Sequence, residues 1–153
     1  MLLQIDRLSL DYNSHEKKIP ILKDISLSVD EGEFVALVGE SGSGKTMTAM
    51  SVMHLLPENM RISAGEIRLG EKLISGMDEK EFRSISGKEI SIIFQEPMTS
   101  LNPLIRVGKQ IEETALVHGV EKETAQKKAA ELARLTGLTD TERILRSFPH
   151  ELS

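Results

Sequence analysis

The strongest constraint on this chain is the run Gly39-Glu40-Ser41-Gly42-Ser43-Gly44-Lys45-Thr46, which satisfies the pattern G-x-x-x-x-G-K-[ST] at every fixed position. It follows a short apolar run, Phe34-Val35-Ala36-Leu37-Val38, and leads into a stretch rich in Met, Ala and Leu. That order predicts a strand buried on both faces, a tight glycine loop and a helix starting near Gly44. The chemistry needs this order. Glycines let the backbone bend so that successive amide N–H groups face phosphate oxygens, and the helix N-terminus adds partial positive charge. Lys45 would supply a point charge for β- and γ-phosphates, and the Thr46 hydroxyl can ligate Mg²⁺. A glycine-rich turn would match such a pattern by chance, but here strand, loop and helix fall where a nucleoside triphosphate site requires them.

Bulk properties narrow the class. The 153 residues amount to one domain or part of a larger one, and hydrophobic and charged contents of 39% and 28% are those of a globular protein. A net charge of −5 without a basic run argues against a nucleic-acid-coating surface. The absence of cysteine excludes disulfides and thiolate metal sites. No stretch reaches the ~20 apolar residues that span a bilayer, and the first residues do not read as a signal peptide. Service to a membrane would therefore run through an embedded partner.

Along the chain, Leu3, Ile5, Leu8, Leu10 and Tyr12 nearly alternate, with a slip at Asp6-Arg7 that suggests a bulged strand. Residues 21–29 alternate again and predict an antiparallel partner. Pro57 closes the pattern of the helix after the loop, and residues 65–74 read as two short strands around Gly70-Glu71. Asp78 with Glu81 signals a helix start. Residues 89–94, with Ile90, Ile92, Ile93 and Phe94, read as a second core strand. Pro97 and Pro103 exclude a regular helix between them. Helices are expected over 107–117, 122–135 and 141–147, the second with Ala125, Ala129, Leu132 and Ala133 on one side. His15, His54, His118 and His150 have no metal-ligand spacing and read as structural or surface residues.

With these residues in view, the chain resembles the ATP-binding subunits of ABC transporters, and more closely those of bacterial dipeptide and oligopeptide (or nickel) importers. The resemblance rests on GESGSGKT at 39–46, FQEPMTSLNP at 94–103 and PHELS at 149–153, the last resembling the lead-in to the signature LSGGQ. It implies an α/β P-loop NTPase fold that is incomplete: an antiparallel β subdomain (1–32), part of the parallel core sheet with the P-loop and Q-loop (33–98), and a helical subdomain up to the signature (99–153). ATP and Mg²⁺ would be the cofactors. Tyr12 would stack on adenine, a strand-end tyrosine being the plainer alternative. Gly39, Glu40, Ser41, Gly42, Ser43, Gly44, Lys45, Thr46 and Met47 would hold the phosphates. Many relatives carry a hydroxyl where Met47 stands, but its backbone N–H still donates. Gln95 would match the Q-loop glutamine, reaching Mg²⁺ with Thr46 and the attacking water, so that Lys45 and Gln95 are the catalytic candidates.

The same resemblance implies partners: a second ATP-binding subunit (identical or not), transmembrane permease subunits, and indirectly a solute-binding protein. The location implied is the cytoplasmic face of the cell membrane. Met98, Thr99 and Leu101 are candidates for the permease-facing surface, with loop residues capping the core as the alternative. A Walker B aspartate, its neighbouring glutamate and the switch histidine would follow the signature. The 153 residues are accordingly expected to be an N-terminal part that binds nucleotide without turnover, with apolar strand faces exposed. Two other classes stay in view: a non-transport ABC ATPase of translation or DNA repair, and an unrelated P-loop kinase or GTPase. The wording of 94–103 and the acidic balance count against the first, and the Q-loop with a helical segment against the second.

Overall fold

A computed structural model describes residues 1–14, 17–95 and 100–152. The chain divides into two compact units, Met1–Ser86 and Gly87–Ser153. The first is built on an antiparallel sheet of four strands, β1 (Leu3–Asn13), β2 (Lys18–Val29), β3 (Met60–Leu69) and β4 (Lys72–Leu73), in the order β2-β1-β3-β4. Helix α1 (Lys45–Val52) lies between β2 and β3 in sequence. A 3₁₀ turn (Ile74–Gly76) and helix α2 (Glu79–Arg83) follow β4.

The slip at Asp6-Arg7 is a bulge. Ile5 pairs with Leu27 but Leu8 with Ile25, so one extra residue sits on β1, and Arg7 takes a left-handed φ of 47°. The insertion restores the face: Ile5, Leu8 and Leu10 are all buried despite the odd spacing between the first two. Side-chain hydroxyls occupy gaps in the ladder. The Arg7 N–H donates to Ser26 Oγ at 2.9 Å and the Asp24 N–H to Ser9 Oγ at 3.2 Å. On the other side of the bulge stands Gly65 at φ +86°, where a Cβ would overlap the Arg7 carbonyl and the Asp6 oxygen. Glycine is therefore required there both by backbone conformation and by space. Leu22, Ile67 and Leu69 of the sheet are buried with Val52, Met53, Ile74, Phe82 and Ile85.

Helix α2 begins as the sequence predicts. The Asp78 side chain accepts from the Glu81 N–H at 2.8 Å, and Glu81 Oε2 in turn accepts from the Asp78 N–H at 2.9 Å. Strand β3 runs longer than expected, and its hairpin with β4 turns around Gly70-Glu71 as read.

Two expectations fail. Residues 34–38 are not a strand, and Phe34 and Val38 are each 93% exposed. Residues 89–94 are not a strand either: only Ile90 makes a bridge, and Ile93 is 91% exposed. A strand exists only where a neighbour takes its N–H and C=O groups, and neither stretch has such a ladder.

The second unit is helical: α3 (Val107–Val117), α4 (Lys122–Leu135), α5 (Thr141–Arg146) and a 3₁₀ turn (Pro149–Glu151). Helix α4 buries Ala125, Ala129 and Ala133. Leu132, placed with them by periodicity, is 55% exposed, because the contact is a narrow small-residue seam. Buried Glu112 is paired with Lys109 Nζ at 2.8 Å.

Two outcomes follow from this architecture. Gly65→Ala should lower the stability of the sheet unit by about 2 kcal/mol or more, since it forces Cβ against backbone at a left-handed φ; urea unfolding followed by circular dichroism measures it. Phe34→Ser together with Val38→Ser should change stability by no more than about 0.5 kcal/mol, as befits exposed positions, while reducing the binding of a hydrophobic dye. A loss of several kcal/mol would instead mark these residues as core.

Candidate functional site

The phosphate-loop candidate is built by β2, the loop at 39–44 and α1. Gly44 is the N-cap of α1 with φ 93°, and a Cβ on it would overlap Leu22 Cδ2. Leu22 is itself buried in β2, so the loop turns directly against the sheet unit's core. The first helical bond runs from the Thr48 N–H to the Gly44 carbonyl at 2.9 Å. The N–H groups of Lys45, Thr46 and Met47 precede it and project from the positive end of the helix. Gly44 has no side chain that would cap them, so they remain suited to an anionic ligand.

Lys45 Nζ sits within the loop, donating to the Gly39 carbonyl at 2.8 Å, the Glu40 carbonyl at 2.7 Å and Ser43 Oγ at 3.2 Å. The Ser43 N–H closes a turn onto the Glu40 carbonyl at 3.2 Å. Glu40, Ser41 and Gly42 are exposed, as is Thr46, while Met47 is half-buried. A compact ammonium inside a ring of backbone dipoles, beside unpaired helix N–H groups and an exposed hydroxyl oxygen, can bind a polyphosphate with a hard divalent cation. Both groups fit the residues present.

The buried face of α1 carries Thr48 and Ser51, which the sequence reading passed over. Their hydroxyls bond back to the Gly44 and Met47 carbonyls at 3.0 and 2.8 Å, so burying them leaves no polar group unsatisfied. The available signal was the spacing of Thr48 four residues beyond Gly44, within reach of its carbonyl.

Tyr12 lies near the end of β1, half-buried, paired with Ile19 of β2 and Met60 of β3. It shares the sheet unit with the loop. Gln95 belongs to the other unit, at the exposed end of the 91–95 stretch. Glu96, Pro97, Met98 and Thr99 lie outside the described residues, as do His15 and Ser153. Beyond them, Gln110 of α3 fastens the following loop: its Oε1 accepts from the Asn102 N–H at 2.8 Å, and its Nε2 donates to the Asn102 and Ile105 carbonyls at 3.0 and 2.7 Å. Phe148 stacks on His150 at 5.7 Å between ring centres, and the Arg106 guanidinium lies 5.6 Å from its centroid on the approach to Leu152.

Comparison with known proteins places this geometry. The family model for the ABC transporter matches residues 22–153. The chain is similar to the oligopeptide transport ATP-binding protein OppD of Bacillus subtilis (strain 168), 40% identical, over 99% of this chain and 43% of that protein. It is also similar to the dipeptide transport ATP-binding protein DppD of Escherichia coli (strain K12), 39% identical, over 99% of this chain and 47% of that one. The chain thus spans about half the length of the curated relatives it matches. Among solved structures, the dimeric bacterial ABC transporter cassette MJ0796 superposes with a TM-score of 0.82 at 25% identity, covering 99% of this chain and 63% of that one. The same cassette in a post-hydrolysis state bound to ADP and Pi gives 0.80 at 24% identity, a likeness of fold. By its loop, by the family model over most of its length and by the fold it shares with these cassettes, the chain belongs to the ABC transporter family, with the fold of an ABC nucleotide-binding domain.

Proposed function

We propose that this chain is the nucleotide-binding part of an ATP-binding subunit that powers import of peptides or similar small solutes. The observation that carries it is the placement of the Lys45 ammonium inside the 39–44 loop at the open N-terminus of α1. The peptide assignment draws on relatives named for oligopeptide and dipeptide transport at about 40% identity.

In this reading the loop N–H groups and those of Lys45, Thr46 and Met47 hold the phosphates, and Lys45 moves its ammonium onto the β- and γ-oxygens. Thr46 offers its hydroxyl to Mg²⁺, which when bound neutralises phosphate charge. Tyr12 would serve as the adenine platform, with stacking as its contribution. Gln95 would reach toward the metal and the attacking water. A second ATP-binding subunit completes the site, and permease subunits hold the protein at the cytoplasmic face of the membrane. Among the described residues no helix is long and apolar enough to cross a membrane, in keeping with attachment through partners. The domain division proposed is an antiparallel β start at 1–32, a P-loop core at 33–98 and a helical subdomain at 99–153. For the 153 residues alone, the proposal is binding without turnover.

Titration of the chain with Mg²⁺-ATP, beside Lys45→Ala, tests this. Loss of a charge-assisted contact to phosphate predicts about 10- to 100-fold weaker binding in the variant, and equal affinities would overturn the assignment of the loop. Phosphate release by the wild-type chain above the Lys45→Ala baseline would refute binding without turnover.

A further inference from the structure

Helix α1 ends in an unusual way. The Leu55 N–H bonds to the Met50 carbonyl at 3.0 Å and the His54 N–H approaches the Ser51 carbonyl at 3.5 Å, the pairing of a Schellman motif. The position between them demands a left-handed backbone and is usually glycine. Here it is His54, at φ 55°. A residue with a Cβ is disfavoured in that conformation, so its side chain is the place to look for compensation.

That side chain makes two contacts away from its own helix. Nε2 lies 2.7 Å from the carbonyl oxygen of Ile74, the first residue of the 3₁₀ turn after β4. A carbonyl only accepts, so Nε2 is the protonated nitrogen. The ring also stacks on Phe82 of α2, 4.0 Å between centres and 7° from parallel. Both Ile74 and Phe82 are buried. One imidazole therefore ties the C-terminal end of α1 to the β4–α2 arm of the sheet unit. At the opposite end, Gly44 rests on Leu22 of β2. The helix is only eight residues long, so fixing both ends fixes its axis, and with it the direction of the N–H groups of Lys45, Thr46 and Met47.

We infer that His54 is a positioning residue for phosphate binding, holding α1 in line through the Ile74 hydrogen bond and the Phe82 stack. The inference rests on the nucleotide-binding reading for its effect on affinity, but the clamp itself is measurable without ligand.

The test uses three variants of the full chain. His54→Gly relieves the left-handed strain and removes the clamp. His54→Phe keeps an aromatic ring for Phe82 and removes the donor. His54→Gln restores a donor of similar reach. Amide hydrogen exchange is read first without nucleotide. Exchange of the α1 amides and the Leu55 amide should rise about tenfold in the Gly and Phe variants and much less in the Gln variant, while the β1 and β3 amides keep wild-type rates. Mg²⁺-ATP affinity, corrected for the folded fraction by circular dichroism, should fall about tenfold in the same two variants and recover in His54→Gln. Wild-type exchange in α1 of His54→Gly overturns the clamp. Increased α1 exchange with unchanged affinity, in a wild-type chain that binds nucleotide in a Lys45-dependent way, overturns the positioning role. A wild-type chain that fails to bind Mg²⁺-ATP at all refutes the nucleotide reading instead, and the exchange data still decide the clamp.

Discussion

The contact on which the phosphate loop depends is between Gly44 and Leu22. A left-handed turn at Gly44 brings backbone against a buried leucine, and any side chain on Gly44 would overlap it. That turn starts α1 and presents three N–H groups at the loop mouth. The Lys45 ammonium then draws the Gly39 and Glu40 carbonyls and the Ser43 hydroxyl around itself. Phosphate would compete for a donor that already has three acceptors. Affinity is then the difference between two sets of charge-assisted bonds, not the sum of one, which keeps a strongly charged site from binding its ligand irreversibly.

How legible a feature was depended on how local its cause is. The Asp78–Glu81 capping box involves residues three apart, and the sequence reading placed it correctly. Helices Val107–Val117 and Lys122–Leu135 were read to the residue, because their periodicity ends at Gly119 and Gly137. The slip at Asp6-Arg7 was visible as broken alternation and became the bulge that returns Leu8 to the face of Ile5. Residues 34–38 and 89–94 misled for the opposite reason. Apolarity reports that a segment gains by burial, whereas strand formation depends on a partner ladder that no local pattern encodes. Leu132 misled on a smaller scale: its angular position was right, but a seam of alanines leaves room for nothing larger beside it.

Within the site, residue types were readable and geometry was not. The pattern named Lys45 and Thr46, yet the carbonyls that hold Lys45 come from backbone turns invisible in residue identity. His54, expected to be a structural or a surface residue, packs against Ile74 and Phe82. Its left-handed φ had no signal, since a histidine after a helix usually continues it or frays. Its two partners, Ile74 and Phe82, lie 20 and 28 positions further along the chain. Tyr12, expected as an adenine platform with a strand-end tyrosine as the plainer alternative, lies near the end of β1 between Ile19 and Met60, a position common to both readings.

The family match begins at Leu22 in β2 rather than at the first strand: it covers residues 22–153 and leaves out all of β1. Yet β1 lies between β2 and β3, and Leu10 on it pairs in register with Leu22, the residue against which Gly44 turns. Both leucines are buried. A line of packing therefore runs from Leu10 through Leu22 to Gly44 and on to the N–H groups of α1. Close-packed interiors transmit displacement, so a shift at Leu10 reaches the loop without any change in the glycines or the lysine. The phosphate site is held from outside the segment that the family model matches, by a strand that contributes apolar surface and register to it. The family model covers the loop and its lysine, while part of the packing behind Gly44 comes from a strand outside that match.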